Sequence, residues 1–430
     1  MTNRIKWTIV GSSTGLVVLL LLGAVNGRAT SPDDVYGHLR VYTEVLQRIK
    51  LEYVEEPDMK SITLGAINGL LESVDPFASY LNADQYKQYL KNRDTEKGDV
   101  GLILAKRYGY VAVVDALPNS PGAKANLLTG DLVESINGVA TRDMPLAYAE
   151  QLLAGDPGTS VEVTVLRMRN PDPQKLTLTR AIITPPEVNA KLLADGVGYV
   201  QVESLEPHHV SAVKAKLQEL AQQGAKYIVL DLRHCSTGDP LAGVNLANLF
   251  VDKGEIASAK GQKYAKVDYV AKPDDDVWKG PLVVITDRAT AGGAEVAAAG
   301  LMELGRSQVV GERTYGDAGV RKTVLMDDGG AVILSIAKYY SPLGTAIQDG
   351  GVKPTVMVAE NDNSPELDQD GNPIPGTAPK TVEDNLLKQA IDLVTGKTTL
   401  AELRKPDSGV TVRDPFEKRP LSPERDDDQN

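Results

Sequence analysis

Cysteine, histidine and the largest aromatic residues are scarce in this sequence. Among 430 residues there are one cysteine, four histidines, three phenylalanines and two tryptophans. The single cysteine, Cys235, cannot form an internal disulfide, and no paired-cysteine zinc signature is present. A phosphate-binding glycine loop and a dinucleotide-binding fingerprint are also missing. We therefore expect neither a cofactor nor a bound metal.

An excess of basic residues is missing as well. The formal net charge is −12 at pH 7, and acidic residues cluster at 274–276 and 426–428. Nucleic-acid binding requires a basic surface, so this charge balance excludes DNA or RNA as a main partner. The apolar content of 42% is ordinary for a globular protein, and the length allows two or three domains.

One long uncharged run lies near the N-terminus. Residues 7–27 carry no charged side chain over 21 positions, and Arg4 and Lys6 precede them. This length can cross a bilayer, exceeds the apolar core of most signal peptides, and has no good cleavage site after it. The sequence predicts a signal or membrane anchor at residues 1–29, with an uncleaved anchor favoured. The protein would then face the periplasm from the inner membrane or, if cleaved, be secreted to the cell envelope.

The rest of the chain divides by its periodicity. Residues 30–95 show apolar residues at helical spacing and predict an N-terminal helical segment. Residues 185–400 alternate between strand and helix patterns. Strands are predicted at 198–202, 227–231 and 282–286, and helices at 209–223, 240–253, 292–304 and 382–394. Residues 361–380 and the tail at 401–430 are rich in proline, aspartate and asparagine, which predicts flexible chain.

Residues 96–184 contain glycine-bearing loops between short apolar strand patterns. A strand follows the loop at 99–102, Ser-Pro-Gly-Ala opens a turn at 120–123, and a helix is predicted at 144–153. The pattern resembles a PDZ domain, in which a peptide adds as a strand and its carboxylate meets backbone N–H groups. Asn126 replaces a usual glycine, and asparagine tolerates the left-handed backbone. The resemblance implies that the peptide-binding residues are Val100, Gly101, Leu102, Ile103 and Leu104.

Three further motifs follow in the C-terminal half. Residues 290–295 read Thr-Ala-Gly-Gly-Ala-Glu, residues 311–317 read Gly-Glu-Arg-Thr-Tyr-Gly-Asp, and residues 339–348 read Tyr-Tyr-Ser-Pro-Leu-Gly-Thr-Ala-Ile-Gln. Together they resemble the motifs of the carboxy-terminal processing, or tail-specific, serine peptidases. The resemblance spans most of the chain, from about residue 35 to 395. It implies a crotonase-like α/β core at residues 185–400.

The positions that carry out the family's chemistry differ here. The family motif Ser-Ala-Ser-Ala-Ser-Glu has its nucleophile at the middle serine, which falls on Gly292 when Glu295 is aligned. The general-base lysine falls on Asp317 and its supporting glutamine on Arg321. The family's oxyanion segment, Asp-Leu-Arg-Gly-Asn-x-Gly-Gly, reads Asp-Leu-Arg-His-Cys-Ser-Thr-Gly at 231–238. Glycine has no hydroxyl to form an acyl-enzyme, so the resemblance predicts a pseudopeptidase.

The sequence also contains other candidate nucleophiles. A shifted alignment would bring Thr290 or Ser307 to the nucleophile position. Cys235 is an alternative nucleophile beside His234, but neighbouring side chains on an extended chain point to opposite faces. This geometry favours a buried structural thiol beside a surface histidine.

Two other side-chain pairs are candidates for metal binding or acid–base chemistry. His208 and His209 precede a predicted helix, and no further metal-type residue follows at ligand spacing, which favours helix capping over metal binding. Glu295 and Asp317 would form a carboxylate pair if the fold brought them together. The sequence does not give their separation.

The sequence therefore predicts an α+β multidomain protein with an N-terminal helical arm, a PDZ-like domain and a crotonase-like core. Its expected role is to bind protein C-terminal tails or unfolded peptides as a scaffold or as a non-catalytic partner of an active relative, with a homo-oligomer also considered. The first alternative is an active serine-type endopeptidase that cleaves envelope proteins. The second is a structural envelope protein in which the PDZ-like groove is closed.

Overall fold

The computed structural model describes residues 32–93, 98–107, 109–142, 144–167, 170–358 and 384–403. The expected anchor at 1–29 and the flexible segments at 361–380 and 405–430 lie outside these residues. Within the described residues, no helix combines the length and apolar character that crossing a membrane requires. The contacts divide the chain into a unit that ends at Ala66 and a second unit that begins at Ile67.

The described helices confirm the predicted α+β organisation with a helical N-terminal region. They are α1 (Pro32–Glu52), α2 (Met59–Val74), α3 (Ala83–Arg93), α4 (Pro121–Lys124), α5 (Leu146–Leu153), α6 (His209–Gln222), α7 (Pro240–Asn248), α8 (Gly293–Glu303), α9 (Asn385–Val394) and α10 (Leu400–Leu403). The α10 helix lies at the start of the segment that the sequence predicted to be a flexible tail.

The strands form three sheets. They are β1 (Ser79–Leu81), β2 (Leu102–Arg107), β3 (Tyr110–Ala116), β4 (Leu132–Ile136), β5 (Val139–Ala140), β6 (Ser160–Arg167), β7 (Asn170–Thr179), β8 (Asn189–Leu192), β9 (Val197–Gln201), β10 (Tyr227–Asp231), β11 (Glu255–Lys260), β12 (Val267–Val270), β13 (Leu282–Thr286), β14 (Gln308–Gly311), β15 (Gly319–Leu325), β16 (Ala331–Tyr340) and β17 (Val356–Met357).

The first sheet, in the order β2-β3-β4-β6-β7 with β5 beside β4, forms the PDZ-like domain. Its strands are antiparallel, and alternate residues such as Val161, Val163 and Val165 are fully or almost fully buried. The α5 helix packs into the same core through Leu146, Ala149 and Leu153. Asn126 has φ +52, the left-handed backbone that was predicted for this position.

The second sheet, in the order β17-β14-β13-β10-β9-β8, positions the candidate site. All its pairings are parallel except that of β8 with β9. Leu230 and Val284 pack with α6, α7 and α8 on one face, whereas Val229 and Val283 pack with α9 on the other. Burial on both faces explains why β10 and β13 are continuous apolar runs.

The third sheet, in the order β1-β16-β11-β12 with β15 beside β16, lies in the same C-terminal unit. Its strand β15 begins shortly after Asp317 and contains Arg321. The loops after β10, β13 and β14 leave the carboxyl edge of the parallel sheet. Ligand sites in open α/β sheets form at this edge.

The main error in the predicted elements is the end of α7. The sequence pattern extended this helix to residue 253, but it ends at Asn248. The buried Asn248 side chain accepts a hydrogen bond from the Lys272 backbone N–H and donates to the Lys272 carbonyl oxygen. This contact between distant residues ends the helix, and no local pattern indicates it.

Candidate functional site

Gly292 begins α8 in a sharp turn after β13. Its φ is +61° and ψ is −120°, a left-handed conformation that favours glycine. A Cβ atom at this position would lie 3.6 Å from the Asp317 carbonyl oxygen and 4.0 Å from that of Gly238, which are ordinary contacts. The turn therefore has room for a Cβ atom, but the backbone conformation would be strained by any residue other than glycine.

Glu295 connects this turn to the segment after β14. The side chain is fully buried. One carboxylate oxygen accepts hydrogen bonds from the N–H groups of Gly292 at 3.0 Å and Asp317 at 2.8 Å. The other accepts from the Gly316 N–H at 2.7 Å and from the Thr314 hydroxyl. Because four donors surround the carboxylate, Glu295 holds the Gly292 turn to the segment after β14 and does not act as half of a catalytic pair.

The burial of Glu295 predicts a pH-dependent contribution to stability. Burial raises the pKa of Glu295 from 4.5 to about 7, although the surrounding donors oppose the shift. Folding therefore takes up a proton at pH values between 4.5 and about 7. The stabilisation that Glu295 contributes is greatest below its pKa in the unfolded chain and is lost as the pH rises towards 7. We expect the unfolding free energy of the wild type, relative to Glu295→Gln, to fall by on the order of 3 kcal/mol over this range. Urea unfolding of both proteins at several pH values in this interval tests the prediction. If the difference between their unfolding free energies stays constant or rises with pH, the four donors keep the carboxylate ionised.

Asp317 and Arg321, which the motif resemblance aligns with the family's lysine and glutamine, form an ion pair. Burial raises the pKa of Asp317, and the adjacent Arg321 opposes this shift. The Arg321 guanidinium also lies over the ring of Phe77, at 4.5 Å from its centroid. The structure therefore brings Gly292, Asp317 and Arg321 together, and the two charged substitutions neutralise each other.

The loop after β10 was predicted to be extended at His234, and this prediction is wrong. His234 has φ +57, a left-handed conformation, at the position that the motif resemblance aligns with a glycine of the family. Its Nδ1 lies 2.9 Å from Asp115 and its Nε2 lies 3.6 Å from Asp287. A non-glycine residue in this conformation costs roughly 1–2 kcal/mol, which the contacts with two buried carboxylates offset.

Asp115 belongs to β3 of the PDZ-like domain, so this contact joins the two domains of the unit. The Ser236 hydroxyl donates to the second oxygen of Asp115 at 2.8 Å. A serine, a histidine and an aspartate thus lie together, but Ser236 and His234 each contact the Asp115 carboxylate. In a catalytic triad the histidine contacts the serine, so this arrangement does not activate Ser236. Asp115 was not predicted as a site residue, because its signal in the sequence is merely an acidic residue within an apolar strand.

Cys235 is enclosed by the same loop and has no exposed surface. Burial raises the pKa of its thiol well above the usual range, and the carboxylates of Asp287 and Asp115 add to this effect. A thiol in this environment stays protonated, whereas nucleophilic attack requires the thiolate. The geometry therefore supplies no activated cysteine.

The two hydroxyls that a shifted alignment would offer as nucleophiles are both buried. Thr290 is buried, and its hydroxyl lies 2.9 Å from the Leu232 carbonyl oxygen and 2.8 Å from Asp287. Ser307 lies after α8, immediately before β14, and is also buried. Thr290 therefore supports the turn that carries Gly292.

The candidate peptide groove lies along β2, an edge strand that pairs with β3 in the described sheet. Leu102 and Leu104 are buried in the domain core, and Ile103 is half-buried. Val100 is fully buried at the loop, and Gly101 has φ +71. An open strand edge with a left-handed glycine before it suits strand addition by a peptide.

The loop's backbone N–H groups already have an internal acceptor. Asp99 accepts a hydrogen bond from the Gly101 N–H at 2.7 Å. Burial raises the pKa of Asp99, and these backbone bonds oppose the shift. An incoming peptide carboxylate would therefore compete with Asp99 for the same donor.

Comparison with known proteins identifies both regions. Residues 196–358 match peptidase family S41, and residues 113–167 match the PDZ domain family. The chain is 28% identical to a carboxy-terminal-processing protease of Bartonella bacilliformis over 84% of this chain and 83% of the relative. It is 30% identical to the chloroplastic C-terminal processing peptidase of Tetradesmus obliquus over 71% of this chain and 69% of the relative.

A solved structure agrees with these matches. The photosystem II D1 C-terminal processing protease superposes with a TM-score of 0.62 at 28% identity, over 73% of this chain and 86% of the other. The predicted PDZ domain and peptidase-like core are thereby confirmed. This chain belongs to the carboxy-terminal processing protease family, within peptidase family S41, and carries a PDZ domain.

Proposed function

We propose that this protein binds protein C-terminal tails or unfolded peptides through its PDZ domain without cleaving them. The observation that carries the proposal is the site at the start of α8. Gly292 offers no hydroxyl, and Asp317 is paired with Arg321 where the family has a lysine. A serine peptidase needs both a nucleophile and a base, and neither group is present at these positions.

The proposed setting is the cell envelope. The uncharged run at residues 7–27 supports an uncleaved inner-membrane anchor, with the folded domains facing the periplasm. In this setting the protein acts as a scaffold or as a non-catalytic partner of an active relative. Membrane-pellet fractionation of the intact protein, with protease access from the periplasmic side, supports this; a soluble mature form that begins near residue 30 contradicts the anchor.

Peptide binding is tested with a labelled peptide that has a free, apolar C-terminus and with its C-terminal amide. We expect the free peptide to bind the full-length protein with micromolar affinity, about −8 kcal/mol, because a short peptide must be ordered on binding. Amidation should weaken binding more than about tenfold because it removes the charge that the loop N–H groups recognise. Equal affinities for the free peptide and its amide, or no binding of either, would show that the PDZ domain has a structural role and does not recognise peptide C-termini.

A matched pair of variants locates the binding surface. Ile103→Asp places a negative charge on the half-buried edge strand and should abolish binding. Val139→Asp makes the same change on β5, where the side chain is 44% exposed, and should leave affinity unchanged. Equal losses in both variants would contradict binding along β2.

Restoring the family residues tests whether the missing groups alone account for inactivity. The triple variant Gly292→Ser, Asp317→Lys, Arg321→Gln should gain weak peptidase activity, since a Cβ atom at position 292 would make only ordinary contacts. The gain should stay small because a displacement of about 1 Å in the oxyanion donors can cost roughly 100-fold. A folded triple variant without activity would assign the defect to the His234 loop.

A further inference from the structure

Three potential metal ligands outside the candidate site lie together at the start of α6. Glu187 belongs to the segment between β7 and β8, and His208 and His209 open the helix. One ligand atom from each side chain lies within 4.8 Å of the other two. No sequence pattern places Glu187 near the histidines, because 21 positions separate it from His208.

His209 is the buried member of this cluster. It has no exposed surface, and its Nε2 lies 2.9 Å from the Pro186 carbonyl oxygen. Its Nδ1 is buried and has no hydrogen-bond partner among the residues that the structure describes. When Nε2–H donates to the carbonyl, Nδ1 carries the free lone pair, which is how a metal-binding histidine is oriented. A buried polar atom without a partner is destabilising, and a bound ion would explain its retention.

His208 and Glu187 supply the exposed side of the cluster. The His208 ring lies 4.1 Å from that of His209, between centroids, and its Nε2 lies 4.0 Å from the Glu187 carboxylate. His208 occupies the N-cap position of α6 but makes no side-chain capping bond, so the predicted capping role is wrong. These side chains are 59% and 78% exposed and can rotate. Ligand bonds of about 2.0–2.2 Å to a central ion require them to close by only roughly 1 Å.

We propose that Glu187, His208 and His209 bind a divalent transition-metal ion, with Zn²⁺ the best match. Two imidazole nitrogens and one carboxylate oxygen form a typical borderline-soft donor set, and water completes a tetrahedron. The ion would connect the segment that follows the PDZ domain to α6 of the core. Its role would be to stabilise the contact between that segment and α6, independently of the proposed peptide binding.

The test is calorimetric titration of metal-free, full-length protein with ZnCl₂. We expect one ion per chain, and His208→Ala and Glu187→Gln should each weaken binding at least about tenfold, as expected for loss of a ligand. Glu219→Gln removes a charge from the same helix, outside the cluster, and should leave binding unchanged. Co²⁺ in place of Zn²⁺ should show visible absorption bands that both ligand variants lose.

His209 is fully buried, so a substitution there would disturb packing, and the test uses only His208→Ala and Glu187→Gln. Absence of Zn²⁺ binding by the wild type would overturn it. Binding that is equally tight in wild type, His208→Ala and Glu187→Gln would place the ion elsewhere and would also overturn it.

Discussion

The full-length protein is expected to leave unfolded polypeptides with apolar C-termini intact and to remain unlabelled by serine-directed acylating probes. Gly292 cannot form an acyl-enzyme, and the ion pair of Asp317 with Arg321 supplies no neutral amine. Loss of the catalytic group from a serine peptidase lowers kcat by about 10⁶-fold and leaves at most roughly 10³–10⁴-fold over water. Mass spectrometry of the substrates measures this, with an active carboxy-terminal processing protease as positive control.

Two outcomes would contradict this expectation in different ways. Turnover that disappears in Cys235→Ser would establish a cysteine mechanism, despite the buried, protonated thiol that the structure describes. Turnover that persists in that variant would show that another residue is the nucleophile. The alignment of Gly292 with the family serine would then be wrong.

Gly243→Ala is expected to destabilise the core by more than about 3 kcal/mol, at the upper end of overpacking effects. Gly243 lies in α7 where the helix crosses the start of α8. A Cβ atom there would lie 1.8 Å from the Gly293 carbonyl oxygen, a backbone atom that cannot move without displacing the Gly292 turn. Urea unfolding measures the change in the free energy of unfolding.

Gly350→Ala is the matched control for this substitution. Its Cβ would lie 3.9 Å from the nearest contacting atom, the Ala346 carbonyl oxygen, and its effect should stay within about 0.5 kcal/mol. If Gly243→Ala and Gly350→Ala unfold at the same urea concentration, α7 and α8 do not pack as closely as described.

Local patterns predicted the elements of the parallel sheet well. The strands at 227–231 and 282–286 were predicted with the observed bounds, because each is a short apolar run between turn residues. The start of α7 was also predicted, since Asp239 caps the helix and Pro240 follows it. These features depend on residues that are adjacent in the chain.

The features that sequence reasoning missed depend on contacts between distant residues. The pairing of Asp115 with His234 joins positions 119 residues apart, and Glu187 reaches His208 from another segment. Similarly, the donors around Glu295 come from both α8 and the segment after β14. The motif alignment predicted that Gly292, Asp317 and Arg321 lie at one site, because the aligned motifs come together in the family's fold. It gave no information on the ion pair that two of them form.

We propose that the protein binds peptide tails and does not cut them. One sample tests both binding and cleavage: full-length protein saturated with a peptide that has a free C-terminus, analysed by calorimetry and, after overnight incubation, by mass spectrometry of the recovered peptide. We expect saturable binding of one peptide per chain and recovery of the peptide at its original mass. Recovery of a bound peptide shortened by protein-dependent cleavage would contradict it.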